Sequence, residues 1–82
     1  MGDVKEQIRT FILTEFLPGE KPENLTDTTE LITSGIVDSL ATLRLVSYLE
    51  EQFGISVAAH EMVPEYLDSV AQIDHFVQSK KA

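Results

Sequence analysis

Along the chain, apolar residues recur at steps of three and four in three separate stretches, the period of helices that bury one face. In the first stretch Val4, Ile8, Phe11, Ile12 and Phe16 fall on one stripe, which predicts a helix over about residues 3–16. Asp3, with Glu6 three residues later, fits its N-cap. Pro18 and Gly19 end it, because proline cannot continue the hydrogen-bond ladder and glycine accepts a left-handed turn. In the second stretch Leu40, Leu43, Val46, Leu49 and Phe53 predict the buried face of a helix closed by Gly54, with Ala41, Arg44, Ser47 and Glu51 turned to solvent. In the third, Val70, Ile73, Phe76 and Val77 form the stripe of a last helix. Ser69 with Gln72 predicts its capping box, and Lys80 and Lys81 lie near its negative end.

The intervening segments complete the architecture. Residues 17–38 carry Pro18, Gly19, Pro22 and Gly35 and no sustained period, so they read as one long loop. Loops of this length are usually functional or disordered. Leu25, Leu31, Ile32, Ile36 and Val37 favour an ordered loop, pinned against the helices. Ile55-Ser56-Val57 is too short and isolated for a sheet, and Ala58 to Met62 predicts a short third helix before Pro64 intervenes. The expectation is an all-α fold, three main amphipathic helices and a short one packed as a bundle.

At 82 residues this is one domain, 1–82, able to bury a core but too small to enclose a large substrate cavity as well. That disfavours an enzyme. The net charge of −8 is spread evenly, with seven acids and three bases in each of residues 1–37 and 38–82. Such a field repels nucleic acid and anionic membrane and favours basic partners, although scattered acids also serve solubility. The absence of cysteine removes disulfides, thiolate metal sites and cysteine nucleophiles. No apolar run approaches the roughly 20 residues of a membrane span. The N-terminus lacks the order of a secretion signal, and Glu6 stands where N-myristoylation wants Ser or Thr. A cytoplasmic monomer is expected.

Chemistry is most plausible at Asp38-Ser39-Leu40. A serine there follows the loop and opens the best helix, where unpaired N–H groups and the helix dipole stabilise a phosphate. Read alone, the same residues are an N-cap before an apolar run, the commoner use of Asp and Ser. A serine hydrolase would need the Gly-x-Ser-x-Gly frame, but residue 37 is Val and residue 41 is Ala. His60-Glu61 begins a zinc-protease pattern that Pro64 breaks, and His75 has no companion ligands, so no metal site is expected.

The setting of the serine is more specific than the tripeptide. Leu31-Ile32, Gly35-Ile36-Val37-Asp38-Ser39-Leu40, Leu43, Leu45-Val46, Leu49-Glu50-Glu51 and Phe53-Gly54-Ile55 together closely resemble the acyl and peptidyl carrier protein family. The resemblance runs over about residues 4–78 and implies a four-helix bundle of the acyl-carrier type. It implies that Ser39 receives 4′-phosphopantetheine from coenzyme A through a phosphopantetheinyl transferase. Asp38 then assists, beside a magnesium ion shared with enzyme and coenzyme A. The thiol of the arm would hold acyl or aminoacyl groups as thioesters, so the reactive sulfur is imported and the chain itself catalyses nothing.

Carriers of fatty acid synthesis usually line the second helix with acids. Here Ala41 and Arg44 stand in such positions, and the wording from Ser34 to Val46 looks more like free-standing carriers of nonribosomal peptide or polyketide pathways. Partners would then include an adenylating acyl or aminoacyl ligase and downstream transferase, synthase or tailoring enzymes. Leu40, Ala41, Arg44 and Ser47 are the expected docking face. A carrier for fatty acid or lipid synthesis is the alternative, and a non-carrier helical interaction module a more distant one.

Overall fold

The computed structural model describes residues 4–81. Four helices follow in order, α1 (Val4–Phe16), α2 (Ser39–Phe53), α3 (Pro64–Leu67) and α4 (Val70–Lys81), with single 3-10 turns at Pro22–Asn24 and Ala59–Glu61. Among the described residues there is no strand.

The stripes read for α1 and α4 face the core. Ile8 and Ile12 are fully buried while Val4, Phe11 and Phe16 cover the edges of the core. Val70, Ile73, Phe76 and Val77 do the same for α4, which packs against each of the other three helices. The Asp3 cap lies outside the described residues. At the other end of α1 the chain leaves through Gly19 at φ +88°. Ser69 accepts the Gln72 backbone N–H at 3.1 Å, but the Gln72 amide donates to the carbonyls of Pro64 and Glu65 instead of turning back. Only half of the predicted capping box therefore forms, and the other half ties α4 to α3.

The α2 stripe holds in part: Val46 and Leu49 are buried as expected, but Leu40 and Leu43 are not. Leu40 is 73% exposed and Leu43 52%, whereas Ala41, Leu45, Val46 and Leu49 are buried. Steps of three lose about 60° per step on a helix of 3.6 residues per turn, so Leu40 and Leu49 stand on opposite faces. The series Ala41, Leu45, Leu49 advances by four and stays on one face. Phe53, at the end of the predicted stripe, is half-buried. Tyr48 stacks on Phe11 at 4.0 Å and meets Phe53 edge-on at 6.1 Å, and its hydroxyl donates to the Gln7 carbonyl at 3.3 Å. This aromatic row fastens α2 to α1, and burial pushes the Tyr48 hydroxyl pKa up. Gly54 at φ +68° closes α2 by donating its N–H to the Glu50 carbonyl.

The short helix is displaced from its expected position. Residues 59–61 make only a 3-10 turn, and helical structure resumes at Pro64, which starts α3 where the sequence suggested a stop. Proline suits the first helical position because its missing N–H would have no helical partner there. Glu61 fixes the turn by accepting the Ala58 N–H at 2.9 Å and pairing with Lys80 at 2.7 Å.

The long loop is ordered as its apolar residues suggested. Leu25, Leu31 and Val37 are buried and Ile32 and Ile36 half-buried. Each fully buried anchor contributes about 1.5–3 kcal/mol relative to exposure. Polar ties hold it as well: the Asp27 carbonyl accepts the Ala71 N–H at 2.9 Å, and the Asp27 carboxylate pairs with Lys5 and Arg9.

Candidate functional site

Three short-range features deliver Ser39 to the surface. Gly35 at φ +89° donates its N–H to the Ile32 carbonyl at 3.1 Å, which turns the loop. Val37 then sinks into the core, with its N–H on the Leu31 carbonyl at 2.8 Å. Asp38, in extended conformation, caps α2 by accepting the Ala41 N–H on its carboxylate at 2.8 Å, and its carbonyl accepts the Thr42 N–H and hydroxyl, both at 2.8 Å. Because Asp38 takes the capping role, the hydroxyl of Ser39 is spared it. Ser39 is exposed at the first position of the helix, where its own N–H and that of Leu40 have no helical partner. An anion attached to this hydroxyl lies at the positive end of α2.

An open groove of about 490 Å³ runs beside the serine. Ile32 and Gly35 line it on the loop side, Thr42 and Leu43 on α2, and Met62 and Pro64 opposite. The lining is largely apolar and includes Asp38 and Ser39, so it can accommodate an uncharged chain rooted at the serine.

Of the residues expected to dock partners, Leu40, Arg44 and Ser47 are exposed on one face of α2. Ala41 is not; at 9% exposure it points into the core and cannot line that face. Leu43, expected inside, takes its place in the exposed group. The charge there is also qualified, because the Arg44 guanidinium pairs with Glu15 of α1 and lies 5.9 Å from the Phe16 ring centre. The face beside Ser39 thus sets two exposed leucines beside Ser47 and an arginine whose charge is matched by Glu15. His60 and His75 are both exposed, and among the described residues no group of side chains is arranged to hold a metal ion.

Sequence reasoning missed Asp68. Its carboxylate accepts the N–H groups of Leu31, Ile32 and Thr33 at 3.1, 2.7 and 3.0 Å and the Thr33 hydroxyl at 3.0 Å. Burial works against the charge, but the donors from Thr33, Ile32 and Leu31 outweigh it and hold the carboxyl below the usual aspartate range. No local spacing marks this contact, since it joins distant parts of the chain.

Comparison with known proteins accords with this geometry. Residues 13–73, which include the loop, Ser39 and the groove, match the family described as phosphopantetheine attachment site. The probable acyl carrier protein PigG of Serratia sp. (strain ATCC 39006) is 33% identical over 79 residues, 96% of this chain and 90% of that protein. Among solved structures, a chain in the crystal structure of an FAD-dependent dehydrogenase superposes with a TM-score of 0.77 at 30% identity. The match covers 85% of this chain and 97% of that one, so the superposed chain is the shorter of the two. No described helix is long and apolar enough to cross a membrane. The chain belongs to the phosphopantetheine-binding carrier protein family, of the acyl-carrier type, and its cofactor is a covalently attached 4′-phosphopantetheine.

Proposed function

We propose that this chain is a cytoplasmic carrier domain that bears its arm on Ser39 and tethers an acyl or aminoacyl group as a thioester in a specialised pathway of the nonribosomal peptide or polyketide kind. The observation that carries the reading is the exposed Ser39 at the head of α2, relieved of capping by Asp38 and lying within the segment that matches the family. In the loading step the Ser39 oxygen forms the new bond to the β-phosphorus of coenzyme A, and 3′,5′-adenosine bisphosphate departs as the phosphoanhydride breaks. The serine proton goes to a base of the transferase. The N-terminus of α2 stabilises the phosphodiester so formed. One Asp38 oxygen is used in capping, and the carboxylate can offer the other to a magnesium ion held jointly with the transferase and coenzyme A.

Partner choice follows from the face beside the arm. Leu40 and Leu43 are exposed there without an acid between them, which suits enzymes with apolar sockets better than the basic patches that acid-lined carriers meet. We read the partners as a phosphopantetheinyl transferase, an adenylating ligase and a tailoring enzyme. The likeness to a short chain in an FAD-dependent dehydrogenase structure supports a flavin-dependent oxidation of the tethered group as one such tailoring step.

The test is loading. The protein, converted with coenzyme A, magnesium and a promiscuous transferase, is offered amino acids and short and long carboxylic acids with candidate adenylating ligases, and the intact mass is followed. An amino acid or small acid held on the arm as a hydroxylamine-labile thioester is the expected product. Exclusive acceptance of long-chain acyl groups contradicts the specialised assignment.

A further inference from the structure

Asp68 is bonded to both sides of the groove beside Ser39. On the loop side its Oδ1 accepts three successive backbone N–H groups, those of Leu31, Ile32 and Thr33, while the Thr33 hydroxyl donates to Oδ2. Its carbonyl also accepts the Leu31 N–H at 2.7 Å. Converging N–H groups of this kind form a nest for an anion, and bonds to an ionised acceptor are the stronger class. On the opposite side the Asp68 N–H donates to the carbonyl of Pro64, the residue that lines the far wall.

A short path leads from the nest to the serine. Leu31 is fully buried, its carbonyl accepts the Val37 N–H, and Val37 is itself fully buried directly before the Asp38 cap. Any shift of Leu31–Thr33 therefore moves both the Ile32 wall of the groove and the residue that sets the entry of Asp38-Ser39 into α2. Burial of Leu31 and Val37 fixes the depth of the loop, but apolar contacts are non-directional and do not fix its position along the surface. The directional bonds to Asp68 do.

We infer that Asp68 is a positioning residue for transfer of the arm to Ser39, clamping the Leu31–Thr33 turn to the C-terminal end of α3 so that the serine and its groove keep the geometry a transferase engages. The inference rests on the carrier reading and adds a residue that acts through the loop without touching the arm. A purely stabilising aspartate would lower the melting temperature when replaced and leave the folded protein as good a substrate as before. A positioning aspartate changes the kinetics of the folded protein.

The experiment compares the wild-type chain with Asp68→Asn and Thr33→Val as substrates of a promiscuous transferase with coenzyme A and magnesium, at a temperature where circular dichroism shows each variant folded. Hydrogen exchange of backbone amides is followed in parallel. Asp68→Asn is expected to lower kcat/KM for the carrier about tenfold, since small displacements at a reacting group are costly. The amides of residues 31–33 should lose protection while those of α4 keep it. Thr33→Val removes a single side-chain bond and should lower kcat/KM roughly threefold. Should Asp68→Asn fail to fold, Thr33→Val decides alone. Values for the folded variants within about twofold of wild type overturn the positioning role even if melting temperatures fall. A wild-type chain that accepts no arm overturns the carrier reading itself, a result that no variant can mimic.

Discussion

Leu45→Ala and Leu40→Ala remove the same atoms from one helix and should have very different consequences. Leu45 is fully buried, so truncation loses the transfer free energy of its side chain and leaves a cavity, together about 2–5 kcal/mol. For a domain of this size each kcal/mol moves the melting temperature by about 4–8 °C, so a fall of at least roughly 8 °C is expected. Against a total stability of about 4–12 kcal/mol the loss is severe. Leu40 is 73% exposed, so only about a quarter of its 1.5–3 kcal/mol of burial is at stake, and alanine is the better helix former. Leu40→Ala should stay within about 1 kcal/mol of wild type. Urea and thermal unfolding followed by far-ultraviolet circular dichroism measure both. Equal destabilisation by the two substitutions would refute the placement of the α2 faces and, with it, the docking face proposed beside Ser39. If the placement holds, Leu40→Ala should instead raise KM for the transferase or ligase.

Asp68 adds an acid limb to stability: its folded pKa lies below its unfolded one, so its contribution is present above the ordinary aspartate value, about 3.9, and is lost as pH falls through the lower folded value. Urea midpoints across the acid range should fall less steeply for Asp68→Asn than for wild type; parallel curves would contradict the charge-assisted nest. Asp38→Ala removes the α2 cap and should cost about 0.5–2 kcal/mol in urea unfolding while slowing arm transfer to the fraction that remains folded. Normal transfer kinetics in that variant would remove Asp38 from the reaction. Arg44→Glu breaks an exposed ion pair with Glu15 and should leave the helical signal intact while weakening loading by the cognate ligase, and unchanged loading kinetics would take Arg44 out of the docking face.

The parts of this fold that can be read from sequence are those governed by local period. In α1 and α4 the mixture of three- and four-residue steps keeps Ile8 and Ile12, or Val70, Ile73 and Val77, on one face, and the reading transfers directly to three dimensions. In α2 two apolar sets overlap, one at steps of three from Leu40 and one at steps of four from Ala41, and the second drifts by only about 40° per step against about 60° for the first. Leu40 and Leu43 share the spacing of a buried stripe yet are exposed, because spacing alone does not say which of two apolar sets faces the core. Pro64 was ambiguous for a different reason, since proline both ends one helix and begins another. The placement of Asp38 and Ser39 at the head of α2 is legible because a cap before an apolar run is a local pattern. Asp68 is not, because its partners at residues 31–33 lie 35 to 37 residues away along the chain and no local pattern links them.

The central claim is that the arm is attached to Ser39. It is tested most directly by treating the wild-type chain with coenzyme A, magnesium and a promiscuous transferase, digesting it, and locating the added group by fragment-ion mass spectrometry. A single phosphopantetheine on Ser39, absent from Ser39→Ala treated in the same way, is the predicted result. An arm on Ser34, Ser47 or any other residue, or an arm that persists in Ser39→Ala, would contradict the account.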